Sequence, residues 1–94
     1  MPLFQKTCAH FDALKPIAPA VRVCRKCIDL GDRWVHLRVC QTCGEVNCCD
    51  SSPNRHATAH FHETAHPVVA SAEPAEVWVY CYADEVFLPK FPGQ

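Results

Sequence analysis

Long apolar runs are missing from this 94-residue sequence, and so is any dense cluster of one charge. No stretch approaches the roughly 20 apolar residues that a membrane-spanning helix needs, so we expect no membrane partner. Lys and Arg number 9 against 10 Asp and Glu, and no basic cluster is larger than Arg22 with Arg25 and Lys26. Nucleic-acid binding, which depends on a basic surface, is therefore not expected.

Large apolar residues are also scarce. Leu, Ile, Val and Phe together fill only 22 positions, and much of the 49% hydrophobic content comes from eleven Ala and eight Cys. A small domain with so thin a core usually needs disulfides or metal ions to hold it together. We expect a single domain over residues 1–94, with its core at about 8–88 and a loose tail over 89–94.

A secretory signal is not visible at the start of the sequence. Residues 1–6 lack the apolar stretch of about 7–15 residues that marks a signal peptide, so we expect a cytoplasmic, reducing environment. The main alternative to metal binding by the cysteines is a disulfide framework, which the missing signal peptide disfavours. Thioredoxin-like redox pairs are a second alternative. The sequence has two Cys-x2-Cys pairs, Cys24 with Cys27 and Cys40 with Cys43, but no βαβ pattern surrounds either of them. Redox pairs would also leave the six histidines of the sequence unexplained.

Metal ligands at short spacings are what the sequence has in abundance. The central stretch of 27 residues contains Cys40, Cys43, Cys48, His56, His60 and His66. Upstream lie the pairs Cys24-x2-Cys27 and Cys8-x-His10, and downstream lie Cys81 and Asp84. These residue types and spacings are typical of structural zinc sites. Spacing leaves the grouping open, because a four-thiolate ribbon of Cys24, Cys27, Cys40 and Cys43 would satisfy it too.

Polarity patterns predict an α+β fold. Alternation predicts strands over 33–39 and 77–82, and shorter strands are expected over 45–48, 68–70 and 86–88. Residues 51–54 offer helix N-caps before one predicted helix over 56–65, which His66 and Pro67 would end. We therefore expect a small zinc-stabilised domain with a twisted antiparallel sheet and one or two short helices.

The order of these motifs resembles the UBP-type zinc finger. The resemblance rests on Cys-Ala-His, Cys-Arg-Lys-Cys, Cys-Gln-Thr-Cys-Gly-Glu-Val-Asn-Cys and the His-rich segment from Arg55 to Pro67. It covers about residues 8–88. The family is known from deubiquitinating enzymes and a histone deacetylase that bind the free C-terminus of ubiquitin.

The resemblance implies interleaved metal sites with two or three Zn²⁺ per chain. The first site would be Cys24, Cys27, Cys48 and His56; the second Cys40, Cys43, His60 and His66; the third Cys8, His10, Cys81 and Asp84. Three-zinc members have Cys where this chain has Asp84, so the third site would carry an oxygen ligand. Cys49 is an alternative to Cys48 in a register shifted by one residue.

A short match to the zinc hydrolases needs weighing as well. Residues 62–66 read His-Glu-Thr-Ala-His, which has the His-Glu-x2-His spacing of those enzymes. His66 directly precedes Pro67, however, and metals held by four protein ligands leave no position for water. We therefore predict that the protein is not an enzyme and keep a zinc hydrolase as the weakest hypothesis.

The family's binding pocket is altered in this chain. In ubiquitin-binding members an Arg grips the terminal carboxylate, and aromatic residues form a slot for the Gly-Gly tail. The resemblance places Asp50 at the Arg position, where its charge would repel a carboxylate. Arg38 on the neighbouring strand is a candidate replacement cation, and Trp78, Tyr80 and Tyr82 correspond to the aromatic wall.

The predicted function is a zinc-binding module that recognises the C-terminal tail of a peptide or protein partner. Binding of the ubiquitin tail should be weak or absent because of Asp50. The alternative is a structural or adaptor domain that has no tail pocket.

Overall fold

A computed structural model describes residues 8–91 as three short helices and five strands. In chain order the elements are α1 (Ala9–Asp12), α2 (Arg25–Leu30), β1 (Leu37–Cys40), β2 (Val46–Cys48), α3 (His56–Thr64), β3 (Val68–Ser71), β4 (Val79–Cys81) and β5 (Val86–Leu88). None of these helices has the length and apolarity needed to span a bilayer. The expected α+β class with an antiparallel sheet is confirmed, with three helices instead of one or two.

The five strands form one antiparallel sheet in the order β2-β1-β3-β4-β5. Val39 of β1 lies opposite Ala70 of β3, which in turn lies opposite Val79 of β4. Since side chains alternate along a strand, these three residues share one face of the sheet. Arg38 and Tyr80, one position away, share the other face.

The apolar core lies on the face of Val39 and Val79. One cluster joins Phe11 of α1 to Val68, Val79 and Val86. A second cluster contains Val39 and three fully buried cysteines: Cys24 just before α2, Cys27 in α2 and Cys48 in β2. Because several buried cysteines belong to these clusters, the core and the candidate metal sites share side chains.

Two predicted strands are shorter than their alternating pattern. The strand expected over 33–39 begins only at Leu37, and Val35 is 51% exposed. The strand expected over 77–82 is limited to Val79–Cys81, and Val77 is 66% exposed. The neighbouring strands are only three or four residues long, so the outer positions have no ladder partner.

Helix α3 matches the predicted helix but begins differently. No side chain from 51–54 caps it; its N-cap is Arg55, in the left-handed region at φ 46°. The backbone N–H of His56 instead donates to Sγ of Cys48 at 3.2 Å. Ala65, at φ 61°, ends the helix one residue earlier than expected.

The packed core extends to the last described residue. Phe91 is buried and meets Phe11 edge to face, with ring centroids 6.2 Å apart. The remaining part of the tail expected to be loose, residues 92–94, lies outside the described residues, as do residues 1–7.

Candidate metal centres and binding cavity

The first cluster of potential ligands lies between α2, β2 and the start of α3. Nδ1 of His56 is 3.3, 3.4 and 3.5 Å from the sulfurs of Cys24, Cys27 and Cys48. The sulfurs of Cys27 and Cys48 are 3.7 Å apart. Asn54 directs its amide at Cys27 Sγ over 3.7 Å, which favours a thiolate there.

These separations fit a tetrahedral zinc ion. With the usual Zn–S and Zn–N bond lengths, two sulfurs on a tetrahedron lie about 3.8 Å apart, and a sulfur and a nitrogen about 3.6 Å apart. The observed sulfur–sulfur distance is 3.7 Å and the observed sulfur–nitrogen distances are 3.3–3.5 Å, close to the tetrahedral values. A disulfide, by contrast, needs sulfurs about 2.05 Å apart, and all eight cysteines are free.

The second cluster lies where β1 meets the C-terminal half of α3. Cys40 Sγ is 3.5 Å from Nδ1 of His66, and Cys43 Sγ is 3.4 Å from Nε2 of His60. Gly44, at φ 83°, closes the turn between the two thiols by donating to the Cys40 carbonyl at 2.8 Å. A residue with a side chain would be strained at that φ, so Gly44 favours the turn that brings Cys43 to the cluster.

A carboxylate contacts the ring nitrogen of His60 that points away from the second cluster. Nδ1 of His60 is 3.1 Å from Oε2 of Glu45, while its Nε2 faces the cysteines. The same oxygen accepts hydrogen bonds at 2.9 Å from Lys26 Nζ and from the Asn47 amide. Such a contact fixes the tautomer and the ring orientation of a metal-binding histidine. Sequence reasoning missed Glu45.

The third cluster joins the N-terminal segment to the turn after β4. His10 Nδ1 is 3.1 Å from Asp84 Oδ2 and 3.4 Å from Cys81 Sγ, and Cys8 completes the group. The backbone N–H of Asp84 donates to Cys81 Sγ at 3.4 Å. The side chains of His10 and Asp84 are about two-fifths exposed, so this cluster is more open to water than the first.

Burial by itself favours the protonated form of these thiols. Burial, reinforced by the neighbouring thiols of Cys24 and Cys48, raises the pKa of Cys27 to about 12. Burial and the thiol of Cys81 raise the pKa of Cys8 to about 11. A bound Zn²⁺ reverses this preference, because it deprotonates a coordinating thiol outright. The donor sets therefore suit zinc, for which they would supply closed structural sites.

The structure also separates the alternatives that spacing left open. Cys24 and Cys27 lie in a different cluster from Cys40 and Cys43, so the four-thiolate ribbon is not formed. Cys49 Sγ lies beside the Ser52 hydroxyl at 3.6 Å and, among residues 8–91, belongs to no cluster.

The hydrolase motif does not lie on one continuous helix. α3 ends at Thr64, so His62 is on the helix and His66 beyond it. His62 is exposed, and no cluster within residues 8–91 includes it. His62 and His66 therefore do not form the pair of metal-binding histidines, one turn apart on a continuous helix, that zincins require.

A separate cavity of about 150 Å³ is lined by Arg38, Asp50, Trp78, Tyr80 and Tyr82. These are the five residues that the sequence singled out for ligand binding. The Arg38 guanidinium stacks on the Trp78 ring, 4.4 Å from its centroid. The rings of Tyr80 and Tyr82 stand perpendicular with centroids 5.2 Å apart. Strands β1 and β4 therefore bring a cation and aromatic walls together on the sheet face opposite the core.

Helix α3 holds one side of this cavity. Phe61 stacks on Tyr82 with ring centroids 5.0 Å apart and planes 13° apart. The Thr58 hydroxyl donates to Asp50 Oδ1 at 2.6 Å and lies 3.5 Å from the Tyr82 hydroxyl. A role at this cavity was not predicted for Thr58 or Phe61, because nothing in the sequence links either residue to the aromatic wall.

Comparison with known proteins agrees with the cysteine and histidine pattern. Residues 24–91 match the zf-UBP family, described as "Zn-finger in ubiquitin-hydrolases and other protein". This chain belongs to that family of zinc fingers, and zinc is its cofactor, with two or three clusters suited to bind it.

Relatives include parts of two larger proteins. The chain is 35% identical over 69 residues to the NAD-dependent deacetylase sir2A of Dictyostelium discoideum, covering 73% of this chain and 12% of the relative. It is 32% identical over 91 residues to Histone deacetylase 6 of Caenorhabditis elegans, covering 93% of this chain and 9% of the relative. The chain thus spans about a tenth of these relatives.

A solved structure of similar size is also close. The solution NMR structure of a protein from Rhodopseudomonas palustris shares 45% identity and has a TM-score of 0.79. The similarity covers 90% of this chain and 83% of that protein. A similar fold is thus found in a chain of comparable length.

Proposed function

We propose that this zinc finger binds the free C-terminal end of a peptide or protein in the cavity between Arg38 and the aromatic residues. The observation that carries the proposal is the Arg38 guanidinium, stacked on Trp78 at 4.4 Å within the same small cavity as Tyr80 and Tyr82. Family membership supports it, since the family is described from ubiquitin hydrolases.

Each wall would have a distinct part in binding. A guanidinium presents parallel N–H donors that match the two oxygens of a carboxylate. Stacking on Trp78 holds the guanidinium plane in place, so less conformational freedom is lost when a ligand binds. The aromatic rings would cover the backbone of the last residues and exclude water from the charged contact.

Three clusters of four donors each support a structural role for zinc. A metal with four protein ligands has no position left for a reacting water molecule, so we infer that the domain binds its partner without catalysing a reaction. We also propose a reducing, cytoplasmic location, because eight cysteines that must remain available to metal suit that compartment.

The test is titration calorimetry with short peptides that end in Gly, Gln or Lys, each prepared as free acid and as C-terminal amide. We expect the best-bound free acid to bind at least about tenfold more tightly than its amide, because the amide loses a charge-assisted hydrogen bond to Arg38. Arg38→Ala should remove this difference. Arg33→Ala, which removes an exposed Arg outside the cavity, is the matched control and should keep it.

The alternative is a structural or adaptor domain that has no tail pocket. Its support is the exposure of apolar side chains such as Leu30 and Phe87, at 62% and 57%. Equal binding of acids and amides, or tight binding that survives Arg38→Ala, would favour this alternative and contradict the proposal.

A further inference from the structure

We propose that the cavity selects tails whose last residue is basic, with the terminal carboxylate at Arg38 and the side-chain cation at Asp50. This inference rests on the proposed tail binding and adds the ligand's chemical class. It also differs from a preference for Gly-Gly, which offers no cation.

The central observation is that two opposite charges line one cavity without pairing. Arg38 and Asp50 both border the same space of about 150 Å³. Yet Arg38 and Asp50 do not form an ion pair with each other within 4.0 Å. Neither of them forms an ion pair with any other group among residues 8–91. A ligand with a carboxylate and a cation could satisfy both, whereas a ligand with only a carboxylate leaves Asp50 unmatched and repelling.

Arg38 is held away from Asp50 by its own contacts. Its Nη1 donates to the Leu37 carbonyl at 3.1 Å, and its Cζ lies over the Trp78 ring, 4.4 Å from the centroid. Asp50 is held on the helix side, where its Oδ1 accepts the Thr58 hydroxyl. The two charges are thus fixed to different elements, and one oxygen of Asp50 remains available for a ligand cation.

The aromatic walls suit the rest of a lysine side chain. Its aliphatic stem can pack along the perpendicular rings of Tyr80 and Tyr82, and its ammonium group is attracted to the faces of such rings. Burial raises the pKa of Tyr82, and the charge of Asp50 adds to this effect. The Tyr82 hydroxyl therefore stays protonated and places no second negative charge beside Asp50.

Calorimetry with the same peptides provides the test, and the C-terminal residue of the peptide is the variable. Wild type should bind the free acid ending in Lys about fivefold more tightly than the one ending in Gln, the size expected for a partly exposed ion pair. Asp50→Asn keeps the shape and an oxygen that can accept the Thr58 bond, and it should abolish this preference. Asp29→Asn, an exposed carboxylate outside the cavity, should retain it.

The outcomes separate the two proposals. Free acids that bind better than amides but equally well whether they end in Lys or Gln would overturn the basic-tail inference and leave tail binding intact. A lysine preference that persists in Asp50→Asn would overturn it as well. Absence of any difference between acids and amides would overturn both proposals.

Discussion

Replacing Glu45 with Gln should weaken the second metal site and leave the other two unchanged. Glu45 Oε2 lies 3.1 Å from Nδ1 of His60, whose Nε2 faces Cys43 Sγ at 3.4 Å. Gln keeps the length of the side chain but removes the charge that makes the imidazole a stronger donor to metal. Loss of such a carboxylate typically lowers metal affinity about 10–100-fold.

The structure favours the lower end of that range. The side chain of Glu45 is 40% exposed, so water screens its charge, and Asn47 still offers the Gln oxygen a hydrogen bond. The broken ion pair with Lys26 is also partly exposed and contributes at most about 1 kcal/mol. We therefore expect about a tenfold loss of zinc affinity at this cluster.

Competition with a chromophoric chelator measures this change, and NMR resonances of the His60 and His56 rings assign it to a cluster. Glu63→Gln is the matched control, since Glu63 is an exposed carboxylate on α3, the helix that carries His60. Unchanged affinity in Glu45→Gln, or an equal loss at the first cluster, would refute the role given to Glu45.

Four further substitutions test the remaining assignments. Cys48→Ser should release zinc from the first cluster, whereas Cys49→Ser should not, because Cys48 Sγ is 3.5 Å from His56 Nδ1 while Cys49 Sγ lies beside the Ser52 hydroxyl. Zinc analysis of both variants would show the reversed order if Cys49 were the ligand. Asp84→Cys should tighten the third site by replacing an exposed oxygen with a thiolate, and zinc affinity that does not change would exclude Asp84 as a ligand. Asp50→Arg should raise the affinity for a free Gly-Gly end, and calorimetry showing no gain would mean that Asp50 does not face the ligand.

The sequence predicted the composition of the candidate sites better than their surroundings. Cysteines and histidines at short spacings indicate zinc on their own, but only the family resemblance placed Cys24 and Cys27 apart from Cys40 and Cys43. Spacing cannot make that choice, because it does not say which strands are neighbours. The sheet does so by placing Leu37 opposite Cys48.

Features that depend on tertiary contacts could not be predicted. Helices α1 and α2 are four and six residues long, too short for an apolar periodicity to be visible. Alternation at Val35 and Val77 continues beyond the strands because periodicity does not report where a ladder partner ends. Glu45 has no signature either, since only the fold brings its carboxylate to His60.

Zinc dependence of the fold is the central claim, because the core is thin and its buried side chains include the proposed ligands. Structural zinc can contribute about 10–16 kcal/mol of apparent free energy at pH 7, which is as large as the whole stability of many domains. The most direct test is a ¹H–¹⁵N correlation spectrum before and after complete chelation of the metal. We predict a dispersed spectrum that collapses on chelation and returns when zinc is restored; a dispersed spectrum that survives complete removal of zinc would contradict the account.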